Sequence, residues 1–114
     1  MKIAVCMAYV PATDAKVYPR EDKKYIETKD LKFVISPYDE FAIEEALKIK
    51  DTSGAEVFLV SVGPERTQTG LREGLALGAD RGVYIQEEER YFDAFYVSNL
   101  LANYLKKENP DLIF

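Results

Sequence analysis

Val57-Phe58-Leu59-Val60-Ser61-Val62 runs into Gly63-Pro64, and about one helix length later Leu77-Gly78-Ala79-Asp80 turns into Gly82-Val83-Tyr84-Ile85. The first run is too short and too continuously apolar for an amphipathic helix, and it suits a strand covered on both faces. Gly63-Pro64 breaks that strand, and proline fits the first position of a helix. A helix is therefore expected from Pro64 to Leu77, with Leu71 and Leu75 one turn apart as core anchors. The order is β-turn-α-turn-β, the repeating unit of a parallel sheet. Its first loop lies at the carboxyl end of a strand, where open α/β sheets bind their ligands.

Gly70, Gly74 and Gly78 recur every four residues in this segment. A glycine inside a helix costs roughly 1 kcal/mol relative to alanine, so close approach of a neighbouring backbone is one explanation, and drift on a tolerant face is the other.

Toward the N-terminus, Ile3 to Ala8 reads as a first, central strand closed by Val10-Pro11. Val17-Tyr18 and Tyr25-Ile26 flank a polar stretch from Pro19 to Lys24, as in an exposed hairpin. This insertion occupies about residues 12–35 and ends in the extended run Leu31 to Ile35. Ser36 is then placed to cap a helix, with Pro37 at its first position and Asp39 at its third, a Ser-x-x-Asp variant of the capping box. Ala42, Ile43, Ala46, Leu47 and Ile49 form the apolar stripe of that helix, and Gly54 stops it.

Toward the C-terminus, Gly82 to Ile85 is a third parallel strand, followed by the acidic loop Gln86 to Glu89. Asp93 is placed to cap a third helix whose core face is Val97, Leu101, Tyr104 and Leu105, and Pro110 ends it. Asp111-Leu112-Ile113-Phe114 begins a fourth strand. The sequence stops within a βα repeat, which suggests a truncated product.

At 114 residues the chain is one domain at most, and residues 1–114 are expected to be the N-terminal part of one α/β domain. Its net charge of −5 argues against a nucleic-acid surface, which needs clustered Lys and Arg. There is no histidine, and Cys6 is the single cysteine, so an internal disulfide, a zinc site of the usual ligands and a histidine-based triad are all excluded. No stretch approaches the roughly 20 apolar residues needed to span a membrane, and no signal-like segment precedes the first strand, so a soluble, cytoplasmic protein is expected.

The sequence has no Gly-x-Gly-x-x-Gly, no Walker loop and no Gly-x-Ser-x-Gly, and a protein without catalytic residues of its own is expected. Asp39, Glu40, Glu44 and Glu45 sit where capping and solvated-face roles explain them. What remains is a ligand edge built largely of backbone: Cys6 to Ala8, Ser36 to Asp39, and Val62-Gly63. Helix-start amides and strand-end carbonyls can hydrogen-bond an adenine or ribose without special side chains.

Three blocks in register carry a resemblance. They are Ser36 to Leu47 (SPYDEFAIEEAL), Val60 to Arg66 (VSVGPER) and Leu71 to Gly82 (LREGLALGADRG). Together they closely resemble the β subunit of electron transfer flavoprotein, of which this chain would be the N-terminal part. The resemblance implies a Rossmann-like three-layer α/β/α domain with a mostly parallel sheet. It also implies pairing with an α subunit to hold FAD at the interface, and AMP or a second FAD within the β subunit. Electrons would pass from acyl-CoA dehydrogenase-type flavoproteins to a quinone oxidoreductase or a bifurcation partner. Carried over by position, the nucleotide contacts are Cys6, Ser36, Pro37, Tyr38, Asp39 and Val62, with a phosphate-binding loop beyond Phe114. The family commonly has Asn where this chain has Ser36, and Lys where it has Ala8. The alternative is a stand-alone adenine-nucleotide sensor resembling universal stress proteins, against which the hairpin and the Ser-Pro-Tyr-Asp-Glu block argue.

Overall fold

The computed structural model describes residues 1–88 and 92–114. Along them run β1 (Lys2–Cys6), β2 (Tyr9–Pro11), β3 (Phe33–Ile35), α1 (Pro37–Ser53), β4 (Glu56–Gly63), α2 (Thr67–Leu77), β5 (Arg81–Gln86), α3 (Ala94–Glu108) and β6 (Leu112–Ile113). The apolar run that opened the sequence reading is β4, an inner strand of a four-stranded sheet in the order β5-β4-β1-β6. All three of its pairings are parallel, and Ala4 of β1 stands between Phe58 of β4 and Ile113 of β6.

The two-residue period of a strand sends alternate side chains to opposite faces. Ile3, Val5, Val57 and Leu59 pack with Ile43 and Ala46 of α1 and Leu71 of α2. Ala4, Phe58 and Val60 pack on the other face against Leu105 of α3. The result is the expected three-layer, Rossmann-like arrangement. Each of these fully buried large side chains contributes about 1.5–3 kcal/mol.

Helix ends follow local chemistry. Gly54 closes α1 in the left-handed region at φ 72°, with its N–H on Lys50 O. The Asp93 side chain accepts the Tyr96 N–H at 2.7 Å, the cap anticipated for α3. At the amino edge, Arg81 bridges Glu56 and Glu108, each at 2.7 Å, while its guanidinium lies 4.2 Å from the centroid of the Phe58 ring.

The structure corrects several local expectations. The first strand ends at Cys6, because Tyr9 to Pro11 leave the sheet to form an antiparallel ladder with Phe33 to Ile35. The excursion from the sheet therefore starts at this ladder, earlier than residue 12. The polar stretch is held as a hairpin by one bridge, Pro19 to Ile26, with hydrogen bonds from Arg20 N to Tyr25 O and Glu27 N to Tyr18 O. Pro64 does not open α2; it accepts the Thr67 N–H in a preceding turn, and the helix begins at Thr67. Of the two expected anchors of α2, Leu71 is buried but Leu75 is 38% exposed. Glu89, the last residue of the acidic loop, lies outside the described residues.

The glycine periodicity reports close approach. A Cβ on Gly70 would stand 2.6 Å from Tyr9 Cδ2, and one on Gly74 would overlap Leu59 Cδ1.

Candidate functional site

The direction of the crossovers creates a crevice. From β1 the chain moves through β4 to β5 on one side, with α1 and α2 on one face, and then returns through α3 on the opposite face to place β6 on the far side of β1. That reversal between β1 and β6 is a topological switch point, and open α/β sheets bind ligands outside the carboxyl ends of strands at such a point. Cys6 N donates to Phe114 O at 2.8 Å, so β1 and the end of β6 leave the sheet side by side.

The chain beyond β1 is pinned by β4 and by the start of α1. Met7 N donates to Val60 O at 3.0 Å, and Met7 O accepts the hydroxyl of Ser61 at 2.6 Å. Ser61 is fully buried, and this bond satisfies its hydroxyl there. Ala8 is then held at both polar atoms: its N–H donates to Asp39 Oδ2 at 2.7 Å, and its carbonyl accepts the Ser36 N–H at 2.9 Å.

These bonds revise the role expected of the helix start. Ser36 makes no side-chain capping bond, and its carbonyl accepts the amides of Asp39 and Glu40. The Asp39 carboxylate reaches outward to Ala8 instead of back to its own helix. Among the described residues the Ser36 and Asp39 amides are thus engaged, Pro37 has none, and the Tyr38 N–H is the donor of this turn left open.

The six candidate residues reach one edge from two faces. Ser36, Pro37, Tyr38 and Asp39 belong to the start of α1. Cys6 packs with the cluster on the α3 face, and the strand alternation sends Val62 to the same face as Phe58 and Val60. Cys6 and Asp39 still sense each other: burial pushes the Cys6 thiol above its ordinary value, and the Asp39 charge adds to the shift. Tyr38 is 84% exposed, which leaves its ring free at the rim.

Three further groups shape this edge. Besides Ser61, the β2–β3 ladder is stacked onto α2, with Arg66 4.0 Å from the centroid of the Phe33 ring and Tyr9 packed over Gly70. Burial raises the Tyr9 hydroxyl, with a smaller contribution from Glu73. Gly70 was the one sequence signal for this stacking; nothing near Ser61 in the sequence named its partner.

The fold and the edge can now be set beside known proteins. Residues 24–114 match the family described as electron transfer flavoprotein domain. The chain belongs to the electron transfer flavoprotein family. It is 40% identical over 115 residues to an electron transfer flavoprotein subunit beta, mitochondrial, of Arabidopsis thaliana, covering 100% of this chain and 45% of the relative. It is 38% identical over 117 residues to an electron transfer flavoprotein subunit beta of Methylophilus methylotrophus, covering 100% of this chain and 44% of the relative. With an acryloyl-CoA reductase electron transfer subunit gamma of Anaerotignum propionicum the identity is 37% over 118 residues, covering 100% of this chain and 44% of the relative. The chain thus spans less than half the length of these relatives. Among the described residues, no helix is long and apolar enough to cross a membrane.

Proposed function

We propose that this chain is the nucleotide-holding N-terminal portion of an electron transfer flavoprotein β subunit, an electron-carrier component with no catalytic residues of its own. It would pair with an α subunit, with FAD held between the two and AMP or a second FAD in the crevice of the β subunit. The complex would carry electrons from acyl-CoA dehydrogenase-type flavoproteins to a quinone oxidoreductase or a bifurcation partner. The FAD supplies the redox chemistry when bound.

The observation that carries this reading is the bond between Asp39 and Ala8 just beyond the carboxyl end of β1. It joins the first turn of α1 to the end of β1, bringing the open Tyr38 N–H and the Asp39 carboxylate to the edge that Cys6 and Val62 approach from the other face. These groups fit the adenosine part of a nucleotide. Asp39 and the Tyr38 amide offer an acceptor and a donor for polar atoms of base or ribose, and Cys6 and Val62 offer apolar contact. They do not fit its phosphates, since none of the six candidates is cationic and Asp39 and Glu40 place negative charge in the first turn. The family resemblance would assign the phosphates to a phosphate-binding loop beyond the position of Phe114.

The test is to co-express the full-length chain with the electron transfer flavoprotein α subunit of the same organism. A yellow heterodimer is expected. Denaturation should release FAD together with AMP, or FAD in twofold amount, on chromatography. Calorimetric titration with AMP should show at least tenfold weaker binding by residues 1–114 than by a β subunit of the length of the Methylophilus methylotrophus relative. A colourless chain without nucleotide or affinity for the α subunit would overturn the reading.

A further inference from the structure

β1 and β4 pair in parallel from Lys2 opposite Glu56 to Cys6 opposite Val60. Hydrogen bonds along a parallel pair are evenly spaced, and only every second residue of a strand turns its N–H and C=O toward a given neighbour. On β4 the residues that face β1 are the even-numbered ones, because Val60 O accepts from Met7 whereas Gly63 O accepts from Glu87 on the β5 side. The bond from Met7 N to Val60 O carries the pattern one step past Cys6. The next rung of the ladder would run from the Val62 N–H to Met7 O.

Among the described residues that rung is not made. Met7 O accepts the Ser61 hydroxyl at 2.6 Å instead, and Ala8 is drawn toward α1 by its bonds with Asp39 and Ser36. The Val62 N–H is left facing the point where β1 departs, with no acceptor in the chain. Val62 is also the one residue of β4 between Val57 and Gly63 that is not buried. An amide near water loses little by going unpaired, whereas the fully buried Ser61 hydroxyl needs its acceptor. Two donors compete for Met7 O, the hydroxyl holds it, and an open donor results at the carboxyl edge.

We propose that Ser61 is a positioning residue for the nucleotide edge: by holding Met7 O it stops the β1–β4 ladder from closing and leaves the Val62 N–H free to donate to a base or ribose. Ser61 is fully buried and acts through the backbone, without touching the ligand. The proposal rests on the nucleotide reading above and adds to the edge a second open donor, besides the Tyr38 N–H.

The experiment follows the Val62 amide by hydrogen exchange and by nuclear magnetic resonance in the isotope-labelled full-length chain, unaltered and as Ser61→Ala and Ser61→Thr, with AMP as the probe. In the unaltered chain the Val62 amide should exchange faster than the amides within the β1–β4 ladder, and AMP should shift its signal and slow its exchange. In Ser61→Ala, Met7 O is released and the Val62 N–H should close on it. Its exchange should then slow by about tenfold, and AMP affinity should fall by about tenfold, the scale of one hydrogen bond. Ser61→Thr keeps the hydroxyl and should restore both. A merely structural role predicts the opposite at Val62, because a loosened strand end exchanges faster. If Ser61→Ala does not fold, Ser61→Cys is read in its place, since a thiol of similar size is a weak donor. Exchange at Val62 that is unchanged or faster in the variant, or AMP affinity that is unchanged, would overturn the positioning role and leave the nucleotide reading standing. If AMP moved no signal at Cys6, Tyr38 or Val62 in the unaltered chain, both would fall.

Discussion

The Asp39 carboxylate accepts the Ala8 N–H at 2.7 Å across 31 positions of sequence. This bond ties the start of α1 to the segment that leads into the β2–β3 ladder, beside the Ser36 N–H to Ala8 O bond. Asp39→Ala should therefore affect binding more than folding. The bond is solvent-exposed, and a loss of about 1 kcal/mol of stability is expected in urea denaturation. AMP affinity of the full-length chain should fall at least tenfold. An Asp39→Ala chain with unchanged AMP binding would remove this residue from the site.

Cys6 provides a probe of the same edge. Burial and the Asp39 charge both raise its thiol, and only the thiolate reacts with alkylating agents. Iodoacetamide should modify Cys6 more slowly than free cysteine at pH 8, with the rate climbing as pH rises beyond the ordinary thiol range. Asp39→Asn should speed the reaction at pH 8, and bound AMP should slow it. A rate that ignores Asp39 would place the two side chains in separate environments.

Gly74 and Gly70 are positions where better helix formers should destabilise. Alanine normally gains up to about 1 kcal/mol over glycine in a helix. Here its methyl would press on Leu59 in one case and on the Tyr9 ring in the other. Overpacking of this kind costs about 1–3 kcal/mol. Gly74→Ala should show the larger loss of denaturation midpoint, because Leu59 is fully buried in β4 whereas Tyr9 lies on the peripheral ladder.

Acid stability should depend on Asp80. The hydrogen bond from Lys50 holds its carboxyl below the ordinary value, with help from the Val57 N–H at 2.8 Å. A carboxyl lowered by folding stabilises fully above its unfolded value of about 4, and the contribution is lost as pH falls through the folded value. Asp80→Asn should lower the thermal midpoint at pH 7, and the gap between the two proteins should narrow between pH 4 and pH 2. A gap that stays constant over that interval would show that the ion pair adds nothing.

The alternation of strands and helices was legible in the sequence because it rests on local rules. The unbroken apolar run of β4 requires cover on two faces, Gly54 admits the left-handed conformation that ends α1, and Asp93 can reach an amide three residues on whatever the rest of the chain does. That the candidate residues gather at the carboxyl ends of β1 and β4 followed from the same logic, since it needs only the direction of the strands. Tertiary structure decided what depends on partners distant in sequence. Asp39 had a cap available within its own helix, but the amide of Ala8 lies within reach and claims it. Ser61 looks like any strand residue until β1 supplies Met7 O. Leu75 falls on the helical spacing of a core anchor, yet in the folded chain it is partly exposed. The return of β6 to the far side of β1, which opens the crevice, is a choice of strand order. Neither propensity nor periodicity carries that information, because it is settled by how all four strands and both helix layers bury their apolar faces at once.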